Sequence, residues 1–251
     1  MSRRDKTNFI TTAQKTNVPK EMRDFVTVII LGDNYGYRMK SYGPTPLISI
    51  NGKLLIEKQI TAIKSTFINY EIIVCTGFDS NKISALLREK FSDHNIRMVE
   101  NQIHLNSNCC EGSRLCINNT LNDKVIIIGG GADIVPQHLK LINLNETSIM
   151  VQKQSSDDNF EIGAIVPEDD KLDHLSFGIN GLFWTEIMYL SDLKSINTFQ
   201  KIISNTDYKN KLLFEAINVF ANKHDVKVIV NDNKKIMKID NLKILRKIMK
   251  I

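Results

Sequence analysis

Three stretches of this chain carry residues suited to chemistry on phosphates. The first is a loop in which Gly32, Gly36, Arg38 and Gly43 follow the apolar, β-branched run 25–31, with Pro44, Pro46, Gly52 and Lys53 just beyond. Glycines past a buried strand let backbone N–H groups approach a ligand's phosphates, and an arginine there adds charge. An ordinary strand-to-helix turn with a surface arginine fits the same residues. The second is Asp133, which follows the apolar run 125–128 and three glycines. A carboxylate beyond the carboxyl end of a central strand sits where open α/β sheets take their ligands. It could equally be a turn aspartate, or a cap for the helix that Pro136 starts. The third is Asp240, which ends the predicted strand 236–239.

Placing these groups together requires strands that alternate with helices, and the hydrophobic pattern predicts them. Residues 25–31, 71–76, 96–99 and 125–128 read as buried strands. Between them, 54–67 repeats Leu55, Ile56, Ile60 and Ile63 at helical spacing, 80–91 is a second helix and 113–120 a third, after an irregular Asn- and Ser-rich stretch 100–112. Such alternation implies parallel strands with crossover helices, a Rossmann-like three-layer α/β fold. The second half changes character. It predicts short strands at 148–153, 160–166, 172–175 and 182–184, then helices at 186–193, 196–204 and 209–223. Strands 226–230 and 236–239 and a helix 242–249 close the chain, giving a mixed central sheet in one domain, 25–251. Residues 1–24 lack an apolar period and read as a polar basic arm, flexible unless docked on a protein partner.

Composition narrows the classes. At 251 residues the chain can bury a substantial core, and its net charge of +5 comes largely from the arm (Arg3, Arg4, Lys6) and the basic tail. No aromatic-basic platform accompanies that charge, which argues against a nucleic-acid partner. Cys75, Cys109, Cys110 and Cys116 lack C-x-x-C spacing, and the histidines are scattered, so neither a disulfide framework nor a zinc site is legible. With no apolar run of membrane-spanning length and no signal-peptide core, a soluble cytoplasmic protein without a membrane partner is expected.

In order along the chain, these pieces resemble the sugar-phosphate nucleotidyltransferase family, and within it the phosphocholine cytidylyltransferase-like members. The family's G-x-G-x-R-[ML] loop looks like Asn34 through Met39, its P-K-x-L like Pro44 through Leu47, and its G-K-P-L-I-E like Gly52 through Glu57. Its D-I-I-V-V-T-G-Y is similar to Glu71 through Phe78, its asparagine-rich segment to Asn101 and Ser107 through Leu115, and its late E-I-D to Lys238, Ile239 and Asp240. The resemblance spans roughly residues 25–250.

It implies transfer of a nucleotidyl group from a nucleoside triphosphate to a small phosphorylated acceptor, a sugar phosphate or phosphocholine, with pyrophosphate released. Mg²⁺ would be held by Asp133 and Asp240, and Arg38 would act beside them as a catalytic residue, gripping the β- and γ-phosphates. Leu31, Gly32, Gly36, Asn101, Asn108 and Ser113 would bind the nucleotide. Four departures from the pattern stand out. Thr45 replaces the lysine after proline, Asn34 replaces the first loop glycine, the late motif lacks its second aspartate, and an extra glycine allows a register with Gly131 at the metal position. A protein that keeps the scaffold but only binds, or has a structural role in an assembly, is the alternative they raise.

Overall fold

The computed structural model describes residues 25–34, 39–92, 95–153, 161–167 and 169–249. The expected arm, 1–24, and the loop residues Gly36 and Arg38 lie outside them. Strand β1 (Val26–Leu31) leads through a loop into a small hairpin, β2 (Ser49–Ile50) and β3 (Lys53–Leu54). Its turn residues Asn51 and Gly52 have φ of 54° and 79°, the double positive φ that a tight two-residue hairpin requires. Helix α1 (Leu55–Thr66) follows at once, and Glu57 Oε2 accepts from the Leu54 N–H at 2.9 Å, pairing a donor the helix start would leave open. Then come β4 (Tyr70–Thr76), α2 (Ser80–Lys90), β5 (Ile96–Glu100), α3 (Cys109–Asn118) and β6 (Val125–Gly129).

β1, β4, β5 and β6 run parallel, in the order β6-β1-β4-β5. The chain steps outward from β1 to β4 and β5, then returns to the other side of β1 as β6. That reversal opens a crevice beyond the carboxyl ends of β1 and β6. Side chains of β1 alternate between two cores. Ile29 packs with Cys116 of α3 and with Phe199 and Phe220, and Val28 and Ile30 pack with Ile56, Ile60 and Ile83 of α1 and α2. Each such side chain, fully withdrawn from water, contributes about 1.5–3 kcal/mol, which is why these strands carry few polar residues.

After β6 come β7 (Ala132–Asp133), α4 (Pro136–Leu139), β8 (Ser148–Lys153), β9 (Ile162–Ile165), β10 (His174–Phe177) and β11 (Leu182–Leu190). The last third holds α5 (Leu193–Ile203), α6 (Leu213–Ala221), β12 (Lys227–Val230), β13 (Met237–Lys238) and α7 (Leu242–Met249). β11 runs antiparallel to β6 and extends the sheet through β9 and β10 on one path and β8 and β12 on another, giving nine strands among the described residues. The fold is therefore the three-layer α/β architecture with a mixed sheet that the pattern implies. A third, smaller core of Met39, Ile48, Ile50, Leu55, Ile239 and Leu245 seats α7 on the β2–β3 hairpin. The C-terminal segment thus returns to the first loop.

Two segments differ from the sequence reading. Residues 186–190 belong to β11, not to a helix 186–193, because the strand continues past a bulge between Trp184 and Ile187. Glu186 sits in that bulge with φ of 62°. α3 begins at Cys109 rather than Ser113, with Asn108 Oδ1 accepting from the Cys109 N–H at 2.8 Å as its cap.

Candidate functional site

The crevice at the ends of β1 and β6 is made of two adjoining spaces. The inner cavity, of about 220 Å³, is walled by Leu31, Phe177, Trp184, Leu213 and Phe214, with Asp33, Glu161 and Glu186 as its acids. The outer groove, of about 600 Å³, runs past Thr45, His104, Asn108, Gly131 and Asp240. Leu31, Asn34, Cys109, Glu186, Leu212 and Lys238 border both. Close backbone approach explains the glycine that follows β6. A Cβ on Gly130 would stand 2.4 Å from the Leu31 carbonyl oxygen, to which the Gly130 N–H donates across 3.0 Å.

A three-residue charge cluster lies where the two spaces meet. Lys238 Nζ stands 2.8 Å from Glu186 Oε1 and 3.0 Å from Asp240 Oδ2. Burial works against the charge of this lysine, but the Glu186 and Asp240 carboxylates outweigh it and hold its pKa above the ordinary value, so it remains an ammonium. Asp240 Oδ1 also accepts from Asn241 Nδ2 at 2.9 Å. Lys238 is the one lysine or arginine among the described residues that border the crevice.

Asp33, two residues past the end of β1, is almost fully buried and accepts from Asn101 Nδ2 at 2.8 Å. Burial raises its pKa above the usual carboxylate value, and the Asn101 amide recovers only part of that cost. The Cys109 thiol, although at the rim, accepts from the Leu213 N–H at 3.0 Å; burial, aided by the Glu186 carboxylate, pushes its pKa up to about 12. At neutral pH that keeps it the thiol, the less nucleophilic form.

The residues expected from sequence divide into those at the crevice and those away from it. Leu31, Asn108 and Asp240 border it. Gly32 is buried against Pro46, whose Cγ would stand 2.7 Å from an added Cβ, and its N–H is spent on the Cys75 carbonyl at 3.0 Å. Asn101 is fully buried and ties Asp33 to Ser107 Oγ and the Ile103 N–H, so its amide is committed to holding the loop together. Ser113 is likewise buried inside α3, and its Oγ makes no hydrogen bond among the described residues.

The largest departure concerns Asp133. It is buried at the β7–β13 pairing, its carboxylate is ion-paired with Lys58 of α1, and it borders neither space of the crevice; Gly131 does. Gly131 leaves no room for a larger residue, since a Cβ would stand 2.6 Å from the Ile239 carbonyl oxygen. The side chains expected to share Mg²⁺ therefore do not fit that ion. One is held by Lys58, the other by Lys238 and Asn241, and no group of three or more His, Cys, Asp or Glu among the described residues could hold a metal. Glu186, the residue that sequence reasoning missed, lay within a stretch read as helix. Its signal was the strand-forming run Leu182 to Leu190, rich in aromatic and branched residues, with one acid at its middle.

Comparison with solved structures places the chain among proteins of one fold. It matches the CTP:phosphocholine cytidylyltransferase of Streptococcus pneumoniae with a TM-score of 0.73 at 19% identity, over 90% of this chain and 98% of that one. The inositol-1-phosphate CTP transferase of T. maritima matches with 0.71 at 15%, over 89% and 95%. A nucleoside-diphosphate-sugar pyrophosphorylase of Vibrio cholerae RC9 matches with 0.66 at 11%, over 90% and 100%. No family model matches the sequence, and neither does any curated protein. The chain thus has the sugar-phosphate nucleotidyltransferase fold, in a form divergent from all three. No described helix is long and apolar enough to cross a membrane.

Proposed function

We propose that this chain transfers a nucleotidyl group from a nucleoside triphosphate to a small phosphorylated acceptor. The observation that supports it is the coincidence of the β1–β6 crevice with a built charge cluster, in a fold shared with a cytidylyltransferase, a CTP transferase and a pyrophosphorylase. In such a transfer an acceptor phosphate oxygen attacks the α-phosphorus, the α–β bridging bond breaks, and pyrophosphate leaves. The barrier is charge crowding, so positively charged groups must meet the departing oxygens. Arg38 is the proposed partner of the β- and γ-phosphates, and Asn108 and Leu31 are proposed to flank the nucleoside.

The acceptor we favour is phosphocholine. Phe177, Trp184 and Phe214 wall the inner cavity together with Glu161, and Phe177 meets Phe214 edge-on at 5.4 Å between ring centroids. Aromatic faces beside a carboxylate suit a quaternary ammonium, whereas a hexose ring needs a polar partner for each hydroxyl. Pyrophosphate release from CTP should therefore depend on phosphocholine and not on glucose 1-phosphate. Phe177→Ala should raise KM for phosphocholine by about tenfold, the loss of one cation–π contact. Absence of release from any common nucleoside triphosphate with either acceptor would remove the transfer reading.

A second reading, nucleotide binding without turnover, is favoured by the Lys58 pairing of Asp133 and by Thr45 in place of a lysine. Calorimetric binding of CTP with no pyrophosphate release would establish it.

A further inference from the structure

We propose that the Lys238 ammonium is the resident cation of this crevice, seated between Glu186 and Asp240 so that the site takes up nucleotide without a divalent metal ion. The nucleotide clause rests on the transfer reading above; the cation clause stands on the cluster alone.

Three elements converge to build the seat. β11 delivers Glu186 through a bulge whose φ of 62° is uncommon for a residue with a side chain, a strained conformation that persists only where the surroundings fix it. β6 makes room for it with Gly129, whose missing Cβ would lie 2.2 Å from Glu186 Oε2. β13 delivers Lys238, paired with Ala132, and the next residue is stapled by the Ile239 N–H donating to the Gly131 carbonyl at 2.9 Å. Strand pairing fixes the backbone that carries the ammonium. The ammonium reaches both carboxylates, at 2.8 and 3.0 Å, from a side chain only 19% exposed.

Two carboxylates facing one point are a cradle for a hard cation, which takes oxygen ligands. Here a covalently attached charge fills that cradle. A free ion would have to evict an ammonium that is held on two sides and partly shielded from water, where ion pairs are stronger than at an open surface. Removing the ammonium while keeping the carboxylates should therefore create a metal site that the natural chain lacks.

Manganese provides the probe, because free Mn²⁺ is counted directly by electron paramagnetic resonance. The wild-type protein should take up no Mn²⁺ that Asp240→Asn abolishes. Lys238→Met should gain one Mn²⁺ per chain, and the double variant with Asp240→Asn should lose it again. Lys238→Arg, which keeps the charge, should gain none. Wild-type Mn²⁺ uptake that disappears in Asp240→Asn would overturn the proposal without any need for the lysine variant to fold. So would a folded Lys238→Met that gains nothing.

The nucleotide arm uses CTP calorimetry in EDTA and in Mg²⁺. Wild-type affinity should agree within about twofold between the two buffers, and Lys238→Met should bind at least about tenfold more tightly with Mg²⁺ than without. Tight wild-type binding that collapses in EDTA would overturn the claim of metal independence. If CTP binds in neither buffer, the transfer reading fails, and the Mn²⁺ measurements still decide whether Lys238 holds the cation seat.

Discussion

The carboxylate of Glu186 lies over the backbone of Gly129 so closely that a Cβ there would stand 2.2 Å from Oε2 and 3.0 Å from the Glu186 Cβ. The absence of a side chain on the last residue of β6 is thus what lets the bulge of β11 turn its acid towards Lys238. Gly129→Ala should cost about 1–3 kcal/mol, the range for overpacking a filled site. Adding Glu186→Gly should recover most of it, because glycine removes the clash and accepts the positive φ at 186. Urea melts of the single and double variants give both numbers. A double variant no more stable than Gly129→Ala would show that the clash lies elsewhere.

Asp133 and Lys58 form a second, separate pair, at 5% and 18% exposure. Breaking a pair this buried strands one charge, a loss of about 3–5 kcal/mol in comparable cases. Lys58→Met should lower the melting temperature substantially, and Lys58→Met with Asp133→Leu should restore much of it. CTP binding should survive in the double variant. If the double variant is stable and binds no CTP, Asp133 belongs to the ligand site after all.

Asp33 gives the fold a pH dependence of unusual sign for a carboxylate. Its pKa is raised in the folded state by burial, so the folded chain holds this proton more tightly than the unfolded one. Its contribution to stability therefore falls as pH rises from the unfolded value, near 3.8, through the folded value, and the penalty is complete above that. Asp33→Asn keeps the shape and can still accept from Asn101. It should raise the melting temperature at pH 7.5 and change it little at pH values near the unfolded one. An unchanged melting temperature at both would mean the carboxyl is already relieved by water.

Much of the sheet was legible because its strands are buried on both faces. Runs such as Val26 to Leu31 and Val125 to Ile128 admit almost no polar residue, so their pattern is unambiguous, and the reversal between β1 and β6 then marks the crevice as the candidate site. Glu186 was not legible, because a bulge breaks the alternation that marks a strand, and its φ is a property of tertiary packing. The placement of Asp133 was not legible for a related reason. Three successive glycines leave the strand's end undefined in sequence, and the structure resolves it by turning Gly131 to the groove and Asp133 to Lys58. Asn108 has two places at once, capping α3 through the Cys109 N–H and bordering the outer groove, and only the second was read from the sequence.

Thr45 decides how fast the proposed transfer can run. It opens a single 3-10 turn, Thr45–Leu47, is 8% exposed, and borders the outer groove beside Gly131 and Asp240. Its hydroxyl can offer a leaving pyrophosphate one neutral hydrogen bond, worth about 0.5–1.5 kcal/mol, against about 1.5–3 for a bond to a charged group. Lys40 and Lys53 are exposed and border neither space, and Lys238 is committed to two carboxylates, so none of the three replaces a lysine here. Wild-type release of pyrophosphate from CTP and phosphocholine should accordingly be slow. Thr45→Lys should raise it by about tenfold or more, the scale on which a positioned charge acts in transition states, and should leave the response to Phe177→Ala unchanged. Fast wild-type turnover lowered by Lys40→Ala or Lys53→Ala would mean that one of these side chains swings into the groove when nucleotide binds. Fast turnover indifferent to all three positions would place the phosphate path along another wall of the crevice, away from Thr45.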